Sequence, residues 1–397
     1  MSKTLVTALA KFRLVGIFAL SFLVILGIFL SGISFPIEDK RYTDPNEIQQ
    51  VVFAKIHKAA SSTIQNVLLR FAVSRGLDVL LPKQKNHINE FESKIDPDAL
   101  IWHPKGKLFD ILSNHLIFDE DEISAYLPRS AFRFGILREP LSQTLSALRF
   151  YASLYLDPKS KLSTAMQMYF NDPVRGFLDH PEEFCDEDWS TDHCFIDNRM
   201  SMDLGFNSSD MYASKRNKTK VDEFVRQISR QFDLMLLFEY FDESMILLRR
   251  YMHWQIRDII YLKVNASPYR SPYVWNRNPT LTHNQTKIFR EWAAVDIALY
   301  NHFLSEFFEK IKKEDFFEEE VLAYKEILST VSNFCANPGI LGPYRLQIPC
   351  SRWTEEFHIS LTDCAVMKFS EDELVDLVRT QQLNRLQKNL WYQLTNS

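Results

Sequence analysis

The stretch Val51-Val52-Phe53-Ala54-Lys55-Ile56-His57-Lys58-Ala59-Ala60-Ser61-Ser62-Thr63-Ile64-Gln65-Asn66 constrains the fold more than any other part of this chain. An apolar, β-branched run stops at a basic loop, passes through small and hydroxyl residues, and becomes a helical repeat with Ile64, Val67, Leu68 and Phe71 on one face. The reading is strand, tight loop, helix. Ser62 stands at capping-box spacing from Gln65, so the first-turn and loop N–H groups are expected to converge where Lys58 points. That is an anion site in outline. The plainer alternative is a well-capped helix with nothing bound.

A second junction of the same kind follows. Ala131–Leu137 reads as a strand that stops at Arg138-Glu139-Pro140; Pro140 suits a first helical position, and Leu141, Leu145, Leu148 and Ala152 then repeat with helical spacing. Ser142, Ser146 and Arg149 lie on another face. Ser146 stands eight residues after Arg138, about two turns into the helix, which puts a guanidinium fork and a hydroxyl beside one strand end, suited to the oxygens of a phosphate. A structural salt bridge is the alternative for Arg138.

Elsewhere the pattern predicts strands over Leu77–Leu81, Phe109–Leu116 and Phe232–Glu239, a surface loop over Pro82–Pro104, and a short helix over Asp119–Ala125. Further helices are expected through Ile246, Leu247 and Met252, over Trp292–Phe308 and over Asp372–Leu394, with Lys310–Glu320 a solvated charged face and Cys335–Cys364 loop-like. The middle, Asp157–Val221, has too little periodicity to assign. Strands alternating with helices indicate an α/β fold with a parallel sheet, whose ligands bind outside the carboxyl ends of the strands. Two anion sites at neighbouring strand ends imply a ligand with two separated phosphates.

The N-terminus sets the compartment. Leu14–Ile33 is uncharged and apolar, and about twenty residues suffice to cross a bilayer. Lys3, Lys11 and Arg13 precede it and acidic residues dominate behind it, so the positive-inside rule leaves the N-terminus in the cytosol. We expect a signal anchor over 14–33, a cytoplasmic tail over 1–13, a short stem over 34–49, a lumenal body over 50–310 and a helical and loop extension over 311–397. A cleaved signal peptide is the rival, but the run exceeds a typical h-region and no A-x-A-like site follows. Asn207, Asn217, Asn265 and Asn284 begin glycosylation sequons, which this topology would expose. Cys185 with Cys194 is the first candidate disulfide, on proximity. Zinc on Cys185, His193 and Cys194 fits no familiar spacing. The formal net charge of −5, without a basic stripe, argues against a nucleic-acid partner.

With these residues assembled, the sequence resembles the Golgi carbohydrate sulfotransferases, most closely the galactose 3-O-sulfotransferase family including galactosylceramide sulfotransferase. The family's K-T-H-K-T-A-S-S-T segment, its 5′-phosphosulfate loop, stands here as Lys55–Thr63, and its L-R-D-P segment with a later serine as Leu137-Arg138-Glu139-Pro140 with Ser146. Asn114-His115, Asp203-Leu204-Gly205, Glu239–Ser244, Tyr261–Asn265 and the Trp292–Phe303 helix extend the match over roughly residues 50 to 310. The resemblance implies a P-loop-like three-layer sandwich around a central parallel sheet, the sulfotransferase fold. It also implies transfer of sulfuryl from 3′-phosphoadenosine 5′-phosphosulfate to a sugar hydroxyl, the 3-OH of galactose on a glycolipid or glycan in the relatives, with no metal expected.

On this reading Lys58, Ala59, Ala60, Ser61, Ser62 and Thr63 hold the 5′-phosphosulfate, Arg138 and Ser146 hold the 3′-phosphate, and Lys58 neutralises the leaving oxygen. His115 is the candidate base, with a pKa near working pH; His57 and Glu239 are alternatives. Ile56 and Ala59 replace family threonines, and Glu139 an aspartate. Two other functions compete: a P-loop kinase, which lacks the required G-x-x-x-x-G-K-[ST] here, and a glycan-binding scaffold that keeps the fold without turnover.

Overall fold

The computed structural model describes residues 44–89, 91–154, 160–185, 194–206, 215–263, 273, 275–276, 278–337 and 344–396. Chain order runs β1 (Val51–Ala54), α1 (Ser61–Arg75), β2 (His87–Asn89), β3 (Ile111–Leu112), β4 (His115–Leu116), α2 (Glu120–Ile123), β5 (Phe132–Leu137) and α3 (Pro140–Leu154). Then come α4 (Lys161–Met168), α5 (Pro173–Asp179), α6 (Arg199–Asp203), α7 (Lys218–Gln231), β6 (Leu234–Leu237), α8 (Phe241–Met252), α9 (His283–Trp292) and α10 (Ala294–Ile311). The chain closes with α11 (Phe317–Ala336), β7 (Arg345–Ile348), β8 (Phe357–Ser360), α12 (Leu361–Met367) and α13 (Glu371–Asn396).

The central sheet has the order β3-β1-β5-β6, and every pairing in it is parallel. Its strands are apolar runs, interrupted by Arg133 in β5, because both faces are covered. Val51, Val52 and Phe53 are at most 1% exposed, and each such side chain contributes about 1.5–3 kcal/mol by its burial. From β1 the chain crosses outward to β3, then returns past β1 to β5 and β6. Right-handed crossovers in opposite directions put α1 and α3 on opposite faces. Accordingly, α1 packs with α13 while α8 packs with α11, and a second group forms where α10 meets α3, α6, α7 and α9. The reversal of strand order between β1 and β5 is the topological switch point, where a ligand cleft is expected.

The structure corrects several sequence expectations. Leu77–Leu81 makes only an isolated bridge, Val79 to Ile111, because side chains of α13 take the place of a partner strand: Gln382 binds both the N–H (2.8 Å) and the carbonyl (3.0 Å) of Val79. The strand over Phe109–Leu116 breaks at Ser113-Asn114, so β3 stays with β1 while β4 pairs with β2, itself inside the segment read as a loop. Lys310–Glu320 is not a solvated face throughout. Glu320 is 1% exposed, and Arg249 and Arg250 of α8 supply its counter-charges.

Cys185–Cys194 is a disulfide, as proximity suggested, and it removes both thiols from any zinc site; His193 lies outside the described residues. Cys335–Cys364 is a second disulfide, and Cys350 is exposed and unpaired. Asn217 and Asn284 are exposed, at the start of α7 and in the first turn of α9, while Asn207, Asn265 and the Leu14–Ile33 segment fall outside the described residues. Among the described residues no helix is long and apolar enough to cross a membrane.

Candidate active site

The loop after β1 contains no glycine, yet two of its residues adopt left-handed backbone: Lys58 (φ 59°) and Ala60 (φ 63°). Each such residue costs about 1–2 kcal/mol, a strain that persists only where the surroundings impose it. Left-handed residues within a turn are the backbone pattern of anion-binding concavities, in which successive N–H groups point to one side. The N–H groups of Lys58, Ala59, Ala60, Ser61 and Ser62 have no hydrogen-bond acceptor among the described residues, while the preceding one, on His57, is taken by Asp203 (2.7 Å). The helix therefore starts at Ser61 with Ala60 as an uncapped N-cap, and the expected capping box does not form. Ser62 and Gln65 both lie inside α1, where Ser62 donates to Glu371 and Gln65 to Asn86 (2.9 Å).

Parallel pairing of β1 with β5, Ala54 opposite Gly135, brings the second junction alongside. Arg138 reaches across it, and its Nη1 donates to the Lys58 carbonyl (3.1 Å). The salt-bridge alternative fails: Arg138 makes no ion pair among the described residues, its Nε has no partner, and its guanidinium lies over the Phe238 ring (4.4 Å). Ser146, half-buried on α3, has no partner among the described residues either. Glu139 accepts from the N–H groups of Leu141 (3.0 Å) and Ser142 (2.7 Å), so it caps α3 and withholds that helix end from a ligand. An anion at Arg138 is left to side chains.

Lys58 is partly buried, with its Nζ 3.6 Å from the centre of the Phe150 ring. Burial, with Arg138 and Arg149 against the opposing Glu371, brings its pKa down to about 8. Burial likewise lowers Arg138, with Arg149 acting against Glu239 and Glu139. Burial first, and the neighbouring cations after it, disfavour the charged forms of both side chains, a setting in which a bound anion would be favoured.

The two histidines stack with ring centres 4.0 Å apart, but their surroundings differ. His57 Nδ1 sits 2.8 Å from Asp203 Oδ2, and Asp203 is pinned in turn by Arg199 Nε (2.9 Å). Burial favours the protonated acid, yet Arg199 and His57 outweigh it and keep Asp203 a carboxylate. Gly205, at φ 90°, lets the chain turn directly after α6; a Cβ there would collide with the Phe118 carbonyl. His57 is thus a fully braced side chain that shapes the Lys58 loop. His115 is 7% exposed, and neither of its ring nitrogens is hydrogen-bonded among the described residues. Burial, followed by Lys55, His57, His87 and Arg199, holds it well below the ordinary 6.5, not near working pH as expected, so it is a neutral imidazole. A buried polar group without partners costs about 1–3 kcal/mol, which a merely structural histidine would not incur.

Of the residues the sequence singled out, Lys58, Ala59 and Ala60 keep loop N–H groups without an acceptor among the described residues, Arg138 keeps Nε unpartnered while its Nη1 bonds the Lys58 carbonyl, and Ser146 of α3 has no partner among the described residues. Ser61 and Ser62 contribute N–H groups only, because their hydroxyls donate to the Ile56 carbonyl (2.6 Å) and to Glu371. Glu239 faces away from a base's role, accepting from the Glu139 N–H (2.9 Å) and the Tyr300 hydroxyl (3.0 Å). The profile of the galactose-3-O-sulfotransferase family matches residues 17–345.

The chain belongs to the galactose-3-O-sulfotransferase family.

Galactose-3-O-sulfotransferase 2 of Mus musculus is 31% identical over 316 residues, covering 75% of this chain and 72% of that protein. Galactosylceramide sulfotransferase of Mus musculus is 28% identical over 293 residues, covering 73% of this chain but 65% of its own length. Galactose-3-O-sulfotransferase 3 of Homo sapiens is 31% identical over 266 residues, covering 66% and 57%. Against several family members the matched stretch therefore spans less than two thirds of the relative. Sequence reasoning missed Asp203, which it matched as a motif without a role, and Glu371, which lies beyond the family match and carries no local signal.

Proposed function

We propose that this chain is a sulfotransferase of the sulfotransferase fold that delivers sulfuryl to the 3-hydroxyl of a galactose on a glycolipid or glycan. When bound, 3′-phosphoadenosine 5′-phosphosulfate supplies the sulfuryl group, and adenosine 3′,5′-bisphosphate leaves. The observation that carries the reading is the pairing of two unsatisfied anion sites across β1 and β5: the N–H concavity with Lys58, and Arg138 with Ser146. One donor with phosphates at both ends fits both.

The residues divide the work. The N–H groups of Lys58–Ser62 and the side-chain hydroxyl of Thr63 in the first turn orient the 5′-phosphosulfate, and Lys58 neutralises the charge that grows on the leaving oxygen. Arg138 fixes the 3′-phosphate with Ser146 beside it. His115 accepts the proton of the attacking hydroxyl; it is already neutral and has no competing partner among the described residues. Positioning and preorganised charge of this kind can supply most of the rate, as in phosphoryl transfer.

The acceptor follows from the names of the relatives, and the setting from the N-terminus: a type II protein anchored by 14–33 in the Golgi membrane, with its body, including the 50–310 stretch, in the lumen. Two disulfides and the exposed sequon residues Asn217 and Asn284 support an oxidising, glycosylating compartment. The test is transfer from sulfur-labelled donor, without added Mg²⁺, to galactose-terminated glycolipids and glycans, with 3-O-methylgalactosides as blocked controls. Labelled sulfate on free galactosides alone is expected. Equal labelling of the blocked acceptors would move the site of attack, and phosphate transfer from ATP in its place would end the proposal.

A further inference from the structure

The first residue of α13 reaches back into the donor loop from outside the stretch that matches the family, which ends at residue 345. Its carboxylate meets Lys55 Nζ at 2.7 Å, accepts from the Ser62 hydroxyl, and is held by the side-chain amide of Asn86. The Lys55 side chain is 0% exposed, and Glu371 is its hydrogen-bonding partner among the described residues. Lys55 ends the strand side of the loop and Ser62 begins the helix side, so one carboxylate staples the two ends of a loop whose interior is strained at Lys58 and Ala60. Asn86 extends the staple to Gln65 (2.9 Å) and to Asn114 (2.8 Å), the neighbour of His115. The helix behind Glu371 is fixed by Arg379 on the Pro82 carbonyl (2.8 Å) and by Gln382 on Val79.

The structure assigns Glu371 as a positioning residue of the donor site: the C-terminal helix closes the phosphosulfate loop through the Lys55–Glu371–Ser62 bridge. This deepens the function proposed above and rests on it. Glu371 is not displaced by the donor, since its departure would leave a cation sealed in the interior, which is strongly unfavourable. The Ser62 hydroxyl is accordingly not a donor ligand. Burial acts to raise Glu371, but Lys55 and the bond from Ser62 outweigh it and hold the acid down at about 2, so the bridge persists through the working range.

The test measures adenosine 3′,5′-bisphosphate binding by calorimetry and donor kinetics on the full chain. Glu371→Gln keeps the shape and loses the charge. We expect about a tenfold loss of bisphosphate affinity, seen as a raised donor KM with kcat reduced less. The basic limb of the pH profile, set by Lys58 among Arg138, Arg149 and Glu371, should move about 0.5 or more to lower pH, a change that a purely structural role would not produce. Lys55→Met and Glu371→Leu should each weaken binding, and their combination should be no worse than either alone, because removing both members of a buried pair leaves no stranded charge. If a single variant fails to fold, a folded double variant with impaired bisphosphate binding equal to or milder than the remaining single still supports the bridge, and wild-type binding in the double overturns it. Unchanged affinity and pH limb in Glu371→Gln, or additive losses in the double, would also overturn it. Failure of the wild type to bind bisphosphate at all would instead sink the proposed function.

Discussion

Replacing Lys58 by methionine should make the donor-free protein more stable while abolishing its grip on the donor. A lysine held at about 8 instead of 10.5 is a cation that the fold disfavours, and at ~1.4 kcal/mol per decade of proton affinity this costs about 3 kcal/mol at neutral pH. The Phe150 face under Nζ returns about 1–2 kcal/mol of that. Methionine keeps the length and the ring contact without the charge, so a net gain of about 1–2 kcal/mol is expected, or a Tm rise of about 2–4 °C. The gain has a defined pH dependence. Because the folded value lies below the unfolded one, the penalty is fully present below about 8 and disappears as pH climbs toward 10.5. Scanning calorimetry at pH 7 and pH 9.5, with and without adenosine 3′,5′-bisphosphate, reads all of this. The variant should exceed wild type at pH 7, the difference should shrink at pH 9.5, and the nucleotide should stabilise wild type alone. A variant less stable than wild type at pH 7, or a gain indifferent to pH, would refute the reasoning.

Other outcomes follow from the same geometry. His115→Ala should lower turnover about 100-fold with bisphosphate affinity little changed, and normal turnover would move the base elsewhere. The pH profile of kcat/KM for the donor should fall above about 8 as Lys58 loses its proton, and should hold on the acid side until pH drops well below 6.5, where His115 finally protonates; an acid limb at or above 6.5 would exclude His115. At Ala60, whose backbone is left-handed, glycine should leave stability within about 1 kcal/mol and keep donor affinity, whereas valine should cost about 2 kcal/mol and weaken the donor, as thermal melts and calorimetry would record. Glycine and valine behaving alike would mean that the loop carries no strain.

The two strand–loop–helix junctions were legible because their signals are local: apolar runs, Pro140, and a helical repeat after each. Their adjacency was legible too, since alternating strands and helices restrict the sheet to a few orders. What escaped notice arises from contacts between residues far apart in the chain. Ser62 and Gln65 have capping-box spacing, but the left-handed Ala60 starts the helix at Ser61, and Glu371, 309 residues away, claims the Ser62 hydroxyl. Glu320 reads as one more charge in a charged run until α8 places two arginines beside it. His115 was chosen for an ordinary imidazole pKa; the structure keeps it near the loop but surrounds it with Lys55, His57, His87 and Arg199, which no spacing rule foretells.

The proposed sulfotransfer requires one ligand that bridges Lys58 and Arg138. The most direct measurement is equilibrium binding of adenosine 3′,5′-bisphosphate and adenosine 5′-monophosphate to wild type and to Arg138→Ala. Wild type should prefer the bisphosphate by about tenfold or more, the worth of a charge-assisted phosphate contact, and Arg138→Ala should bind both ligands equally, with monophosphate affinity retained. A wild type indifferent to the 3′-phosphate, or an Arg138→Ala variant that weakens both ligands to the same degree, would contradict it.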